Sequence, residues 1–218
     1  MDSTLRRAWT EVISADDYET HMAAIGQAQA AALLTEWVVG EAELQSDSRI
    51  LIVGAGTGQM FDFLDAALFR PHRLTCADLN PAFLGRLEER LMKHGLDAEI
   101  AQDDLENTHL ASGAELVLAT LVLEHIDWRV GVQSICRLRP RLCAIIMQVN
   151  PPEMEAAVTP GRVLPPSMGA AAETWRPVLL SREELISSFE ACGYRCRGER
   201  SVDVADRKQL RALCLSRS

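Results

Sequence analysis

Aromatic side chains are scarce in this sequence: four Trp, two Tyr and five Phe among 218 residues, or 5%. That excludes an extended stacking surface of the kind single-stranded nucleic acid uses. Positive charge is also in short supply. Twenty-two Lys and Arg stand against 31 Asp and Glu, a formal net charge of −9, and no block of five or six basic residues occurs. Such a balance repels phosphate backbones and anionic lipid, so neither nucleic acid nor a membrane is an expected partner. Long apolar runs are missing too. The longest, residues 116–123, holds Thr120 and ends at Glu124, well short of the roughly 20 apolar residues of a membrane helix. The first residues carry two early arginines but no apolar stretch of secretory-signal length, which makes the cytoplasm the expected location.

No C-x-x-C pair occurs. Cys76, Cys136, Cys143, Cys192, Cys196 and Cys214 stand mostly alone in apolar segments, and the nearest two, Cys192 and Cys196, have no partner His beside them. They read as reduced, buried thiols, and no metal site is expected.

What is present is an ordinary globular composition, 48% hydrophobic and 24% charged, in a chain of one-domain length. Residues 1–48 read as a helical cap, with a helix start at Ser14 and an Ala-rich run over 22–34 that only Gly26 weakens. Residues 49–218 read as the main domain. Strands are expected over 49–53, 72–77, 98–102, 115–119 and 142–149, and helices over 59–69, from Pro81 to Gly95, and over 128–138. Asn80 is a good N-cap with Pro81 behind it. Residues 150–180 are a Pro-rich loop expected to lie over the site. Ser181 and Glu184 then open a helix that Gly193 closes, and two final strands follow over 194–204 and 208–216. Strands alternating with helices imply an α/β, Rossmann-like, doubly wound sheet of seven mostly parallel strands with an antiparallel final strand.

The strongest chemical signal is Val53-Gly54-Ala55-Gly56-Thr57-Gly58 between an expected strand and helix. Glycines there let a ligand approach the backbone closely, and the helix start offers unpaired N–H groups. Dinucleotide enzymes have a similar turn, but their fingerprint requires Gly or Ala where this chain has Gln59. Asp78, 20 residues beyond Gly58 at a strand end, is placed to accept both hydroxyls of a ribose.

Taken together, VGAGTG (53–58), CADLNP (76–81), AQDDLEN (101–107) and LATLVLEHID (118–127) resemble the class I S-adenosylmethionine-dependent methyltransferases in order and spacing, over residues 49–149. The resemblance implies that Gly54, Ala55, Gly56 and Gly58 line the methionyl part of S-adenosylmethionine and that Asp78 holds its ribose. Of Asp103 and Asp104 one reaches the adenine amine, with Asp104 favoured, while Leu79 and Leu105 supply apolar faces to the ring. Ala119 and Thr120 lie in the segment under the methionyl group. His125 becomes a candidate base or substrate contact, because imidazole titrates near neutrality. Tyr18, His21, Trp128 and Trp175, with Met154 and Met168, are candidates for the acceptor side.

Two departures stand out. Relatives carry Asp or Glu two residues before the first glycine, where this chain has Ile52, and Arg139-Pro140-Arg141 replaces a Pro-Gly-Gly turn. The expected activity is therefore methyl transfer to a small-molecule acceptor, giving S-adenosylhomocysteine. Ile52 keeps open a second reading, a protein that binds the cofactor or its product without turnover. An NAD-dependent oxidoreductase is a third, carried by the glycine turn and Asp78. A nucleic-acid methyltransferase is disfavoured, since Asn150-Pro151-Pro152 follows the fifth strand rather than the fourth and continues with Glu153.

Overall fold

The computed structural model describes residues 3–173 and 177–217. Seven strands form one sheet: β1 (Arg49–Val53), β2 (Arg73–Asp78), β3 (Ala98–Gln102), β4 (Leu116–Thr120), β5 (Leu142–Val149), β6 (Tyr194–Asp203) and β7 (Gln209–Arg217). Their order is β3-β2-β1-β4-β5-β7-β6. The first five pair in parallel. The last strand, β7, runs antiparallel to both β5 and β6 and lies between them. The expected doubly wound, mostly parallel sheet with an antiparallel final strand is what the chain forms.

Central strands are apolar on both faces because helices cover both. In β1, Ile50 and Ile52 point into one core while Leu51 and Val53 point into the other, and all four are buried. The first core is closed by α3 (Gln27–Glu41) and by α4 (Pro81–Lys93), which contributes Leu84, Leu87 and Leu91. The second is closed by α5 (Trp128–Leu138) and α7 (Arg182–Ala191), through Val132, Ile135, Leu185 and Phe189. Each such side chain stabilises the fold by about 1.5–3 kcal/mol on full burial. The caps read from sequence form as expected. Asn80 accepts from the N–H of Ala82 and Phe83, and Ser181 from that of Glu184.

Two helices depart from expectation. The Ala-rich run is broken at Gly26, which takes φ 69° and ends α2 (Ala15–Ile25) before α3 begins. Glycine is the residue that adopts this conformation without a steric penalty. Residues 59–69 form two short 3₁₀ turns, Gln59–Asp62 and Ala66–Leu68, in place of one helix. The Asp65 carboxylate accepts from the N–H of Ala67 and the Asp65 N–H donates to Glu36 Oε1. These side-chain bonds compete with the helical ladder while Phe61 and Phe69 turn into the core.

The Pro-rich segment carries a helix of its own, α6 (Pro166–Ala172). It is tied to the start of α2: the Ser167 N–H donates to Asp17 Oδ2 (2.7 Å) and the Ser14 N–H to Ser167 Oγ (3.1 Å). Together with α1 (Ser3–Arg7) and the π-helical turn Ala8–Val12, these segments build a roof over the carboxyl ends of the strands.

Candidate active site

The turn after β1 is held open by its neighbours. Gly54 takes φ 64°, and a Cβ there would overlap the Val122 side chain. The turn is fixed from β2: the Ala55 N–H donates to the Ala77 carbonyl (3.0 Å) and the Gly56 N–H to Asp78 Oδ2 (2.8 Å). The other oxygen of Asp78 accepts from the Asn80 N–H (2.9 Å). One buried carboxylate thus ties the glycine turn to the cap of α4. Burial holds the Asp78 carboxyl above its ordinary range, and the backbone N–H groups offset part of that effect. Asn80 also donates to the Trp9 carbonyl (2.7 Å), which anchors the roof to the same cap.

A cavity of about 460 Å³ opens above this turn. One end is lined by Gly54, Gly56, Asp78, Leu79, Asp103, Asp104 and Leu105. Asp103 accepts from the His109 N–H (2.9 Å). Asp104 accepts from the Glu106 N–H (3.0 Å) through one oxygen and from Arg6 (2.6 Å) through the other. A small side cavity of about 40 Å³ adjoins the turn, lined by Ala55, Gly58, Ile52 and Thr120 among others. Around it Thr57 Oγ1, Gln59 Oε1 and Thr120 Oγ1 are buried with no hydrogen-bond partner among the described residues. Buried polar atoms without partners are costly, and here three surround one turn.

The wall opposite comes from the end of β4. Leu121 takes φ 53°, a left-handed conformation that costs a non-glycine residue about 1–3 kcal/mol and that recurs at functional sites. It is held there by its N–H bond to the Ile146 carbonyl (2.8 Å). Glu124 and His125 follow in a short turn, both facing the cavity. The His125 ring lies edge-on to Trp9 with centroids 4.8 Å apart, and burial lowers its pKa to about 3. The imidazole is neutral there. Tyr18 lies over Gly56, with its ring 4.9 Å from that of Phe83. His21 lines the cavity as well, its pKa lowered first by burial and then by Arg162 and Lys208.

The far end is polar and internally paired. Asp206 accepts from Thr159 Oγ1 (2.5 Å) and from Arg162 (2.7 Å), and Lys208 Nζ donates to the Ala157 carbonyl (2.6 Å). None of Trp9, Glu124, Arg162, Asp206 and Lys208 was singled out from the sequence. Trp9 and the last three are distant along the chain, while Glu124 carried a signal, an acid directly after an apolar run.

Other sequence candidates lie elsewhere. Ala119 is buried in the second core and does not line the cavity. Trp128 is also in that core, with the Arg129 guanidinium 4.2 Å from its ring centroid, because as the first residue of α5 it faces the sheet. Met154 is off the cavity wall and Met168 is on it. Trp175 lies outside the described residues. Among those residues no group of three or more His, Cys, Asp and Glu is placed to hold a metal ion, and no helix is long and apolar enough to cross a membrane.

This sheet order, with a glycine turn after β1 and an acid at the end of β2, is a Rossmann-like fold of the kind methyltransferases share. Residues 50–140 match the family model described as a methyltransferase domain. Among solved structures, the magnesium protoporphyrin IX methyltransferase of Synechocystis PCC 6803 with bound S-adenosylhomocysteine is similar at TM-score 0.65 and 15% identity, over 88% of this chain and 84% of that one. The geranyl diphosphate C-methyltransferase of Streptomyces coelicolor A3(2) gives 0.64 and 11%, over 86% and 79%. The cyclase SpnF gives 0.66 and 15%, over 87% and 81%. At these identities the likeness is one of fold. No curated protein matches the chain in sequence.

Proposed function

We propose that this protein transfers the methyl group of S-adenosylmethionine to a small-molecule acceptor. The observation that carries the reading is one cavity that joins the glycine turn and three acids at one end, past Trp9, Tyr18, Leu121 and Met168 under the roof, to a polar, internally paired end. Its volume, about 460 Å³, is in the range of small-ligand sites. A cofactor and an acceptor seated in it would share one roofed enclosure, which suits an in-line displacement governed by positioning.

The residues present fit the cofactor. Gly54, Ala55, Gly56 and Gly58 would face its methionyl part, and Asp78 its ribose, each carboxylate oxygen having a lone pair left after its backbone bond. Asp104, with Asp103 beside it, would take the adenine amine between Leu79 and Leu105. The acid that Ile52 replaces is answered by the unpartnered Thr57, Gln59 and Thr120 oxygens, which supply acceptors for the methionyl amine. Bound there, the cofactor supplies an activated methyl on a sulfonium.

His125 fits a packed wall better than a base, since a ring with pKa about 3 has little affinity for a proton. Tyr18, His21 and Met168 fit the acceptor side. Ile52 favours the second reading, binding without turnover, and the cyclase among the structural neighbours illustrates that the fold alone does not dictate the reaction.

The test is calorimetric titration with S-adenosylmethionine, S-adenosylhomocysteine and NAD, repeated on Asp78→Ala. Expected is binding of the first two, weakened at least tenfold by the substitution, because charged hydrogen bonds of about 1.5–3 kcal/mol each are lost. Binding of NAD alone, or of none, overturns the reading.

A further inference from the structure

Glu124 is buried, with 4% of its surface exposed, in the cavity wall after β4. It is gripped from two sides. Its Oε1 accepts from the Gln148 N–H at the end of β5 (2.8 Å), and its main-chain carbonyl accepts from the Val178 N–H (2.9 Å). Gln148 is itself fixed: its side chain accepts from Gln27 Nε2 (2.9 Å) and donates to Asn150 Oδ1 and the Ala157 carbonyl (2.8 Å each). The carboxylate therefore has one defined orientation.

Its second oxygen, Oε2, is buried and has no hydrogen-bond partner among the described residues. The cations that line the same cavity are engaged elsewhere, Arg162 with Asp206 and Lys208 with the Ala157 carbonyl. A buried carboxylate oxygen without a donor is unfavourable unless a ligand brings one or a proton sits on it.

We propose that Glu124 receives the acceptor's proton, and that the acceptor is accordingly a molecule presenting a hydroxyl or N–H group to Oε2. The proposal rests on the methyl-transfer reading and deepens it. As the acceptor's oxygen or nitrogen bonds to the methyl carbon, the carbon–sulfur bond of the sulfonium breaks and its electron pair stays on sulfur. The O–H or N–H proton passes to Glu124 Oε2. One positive and one negative charge are consumed, leaving a neutral thioether, a neutral carboxylic acid and the methylated acceptor. Burial raises the Glu124 pKa to about 7, a value suited to a base that works near neutrality. The other ionisable groups on this cavity are Asp78, Asp103 and Asp104 at the cofactor end, His125 in the same turn, Tyr18 and His21 in the roof, and Arg162, Asp206 and Lys208 at the far end.

The test compares wild type with Glu124→Gln, which keeps an oxygen for the Gln148 N–H, and with Glu124→Asp, which keeps a withdrawn carboxylate. Calorimetry with S-adenosylhomocysteine comes first. Loss of binding by wild type sinks the methyl-transfer reading, whereas binding retained within about threefold in Glu124→Gln leaves the base as the only variable. Infrared pH titration of the complexes should then find a carboxyl band titrating near neutrality in wild type and missing from Glu124→Gln; its absence from wild type overturns the proposal. Turnover is read on a panel of phenols, alcohols and primary amines, with a thioether and an alkene as controls. Expected is methylation of a panel member, with kcat lower by about 10²–10⁴-fold in Glu124→Gln and partly restored in Glu124→Asp, KM changing little. Undiminished turnover by Glu124→Gln, methylation of the controls alone, or no methylation by protein that binds S-adenosylhomocysteine overturns it.

Discussion

Replacing Glu124 by Gln should stabilise the fold above neutral pH while leaving it little changed in acid. The glutamate is buried, and burial lifts its pKa from 4.5 to about 7. Between those two values the folded state holds a proton that the unfolded chain releases, so stability falls as pH rises through the window. The difference, (7 − 4.5) × 1.36, is about 3 kcal/mol. His125 works in the opposite sense. Burial lowers its pKa from 6.5 to about 3, so the unfolded chain binds the proton first and stability rises with pH across that range. Between pH 4.5 and 6.5 the two slopes oppose each other in wild type. In Glu124→Gln only the histidine slope remains, and the variant should gain about 3 kcal/mol over wild type from pH 4.5 to pH 8. For a chain of this size that corresponds to a Tm higher by roughly 10 °C at the upper pH. Urea melts of both proteins at half-unit pH steps measure the difference directly, since contributions from every other group cancel. A gain below about 1 kcal/mol would mean that water or a donor already reaches Oε2 and that burial does not hold the Glu124 carboxyl near 7.

Gly58→Ala places a Cβ against Leu87 at a backbone φ of 71°, so strain and overlap together should cost about 1–3 kcal/mol in a denaturant melt. A cost under about 0.5 kcal/mol would show that Leu87 yields freely. Arg6→Ala removes an ion pair whose arginine is 52% exposed, and its effect on stability should stay below about 1 kcal/mol. The same substitution should strengthen S-adenosylhomocysteine binding severalfold, because Arg6 occupies the Asp104 oxygen here proposed to meet the adenine amine. Weaker binding in calorimetry would exclude Asp104 as the adenine contact.

Much of this molecule is local and was legible as such. Apolar runs of five residues between turn signals mark buried parallel strands, and the five read from sequence agree with the structure to within about one residue at either end. Asn80 and Ser181 announce helices because a cap is a bond between residues two or three apart. The glycine turn and Asp78 meet for a similar reason: parallel neighbours β1 and β2 bring Val53 level with Ala77, so whatever follows each strand end is adjacent. Residues 59–69 show the limit of such reading, since a helical apolar spacing was present and the ladder still gave way to the bonds of Asp65.

The strands, most caps, the glycine turn and the acids that flank it are therefore written in the chain, because each depends on a segment and its immediate successor. What encloses the cavity follows from long-range packing. Trp9 meets His125 across 116 positions, Arg6 meets Asp104 across 98, and Gln148 holds Glu124 across 24. No periodicity encodes such meetings, because they depend on how α1 and the turn Ala8–Val12 pack over the strand ends and on where β5 ends beside β4. Packing also set the roles of neighbours: four residues apart in sequence, Trp128 went into the core and Glu124 onto the cavity, with an oxygen that has no partner among the described residues.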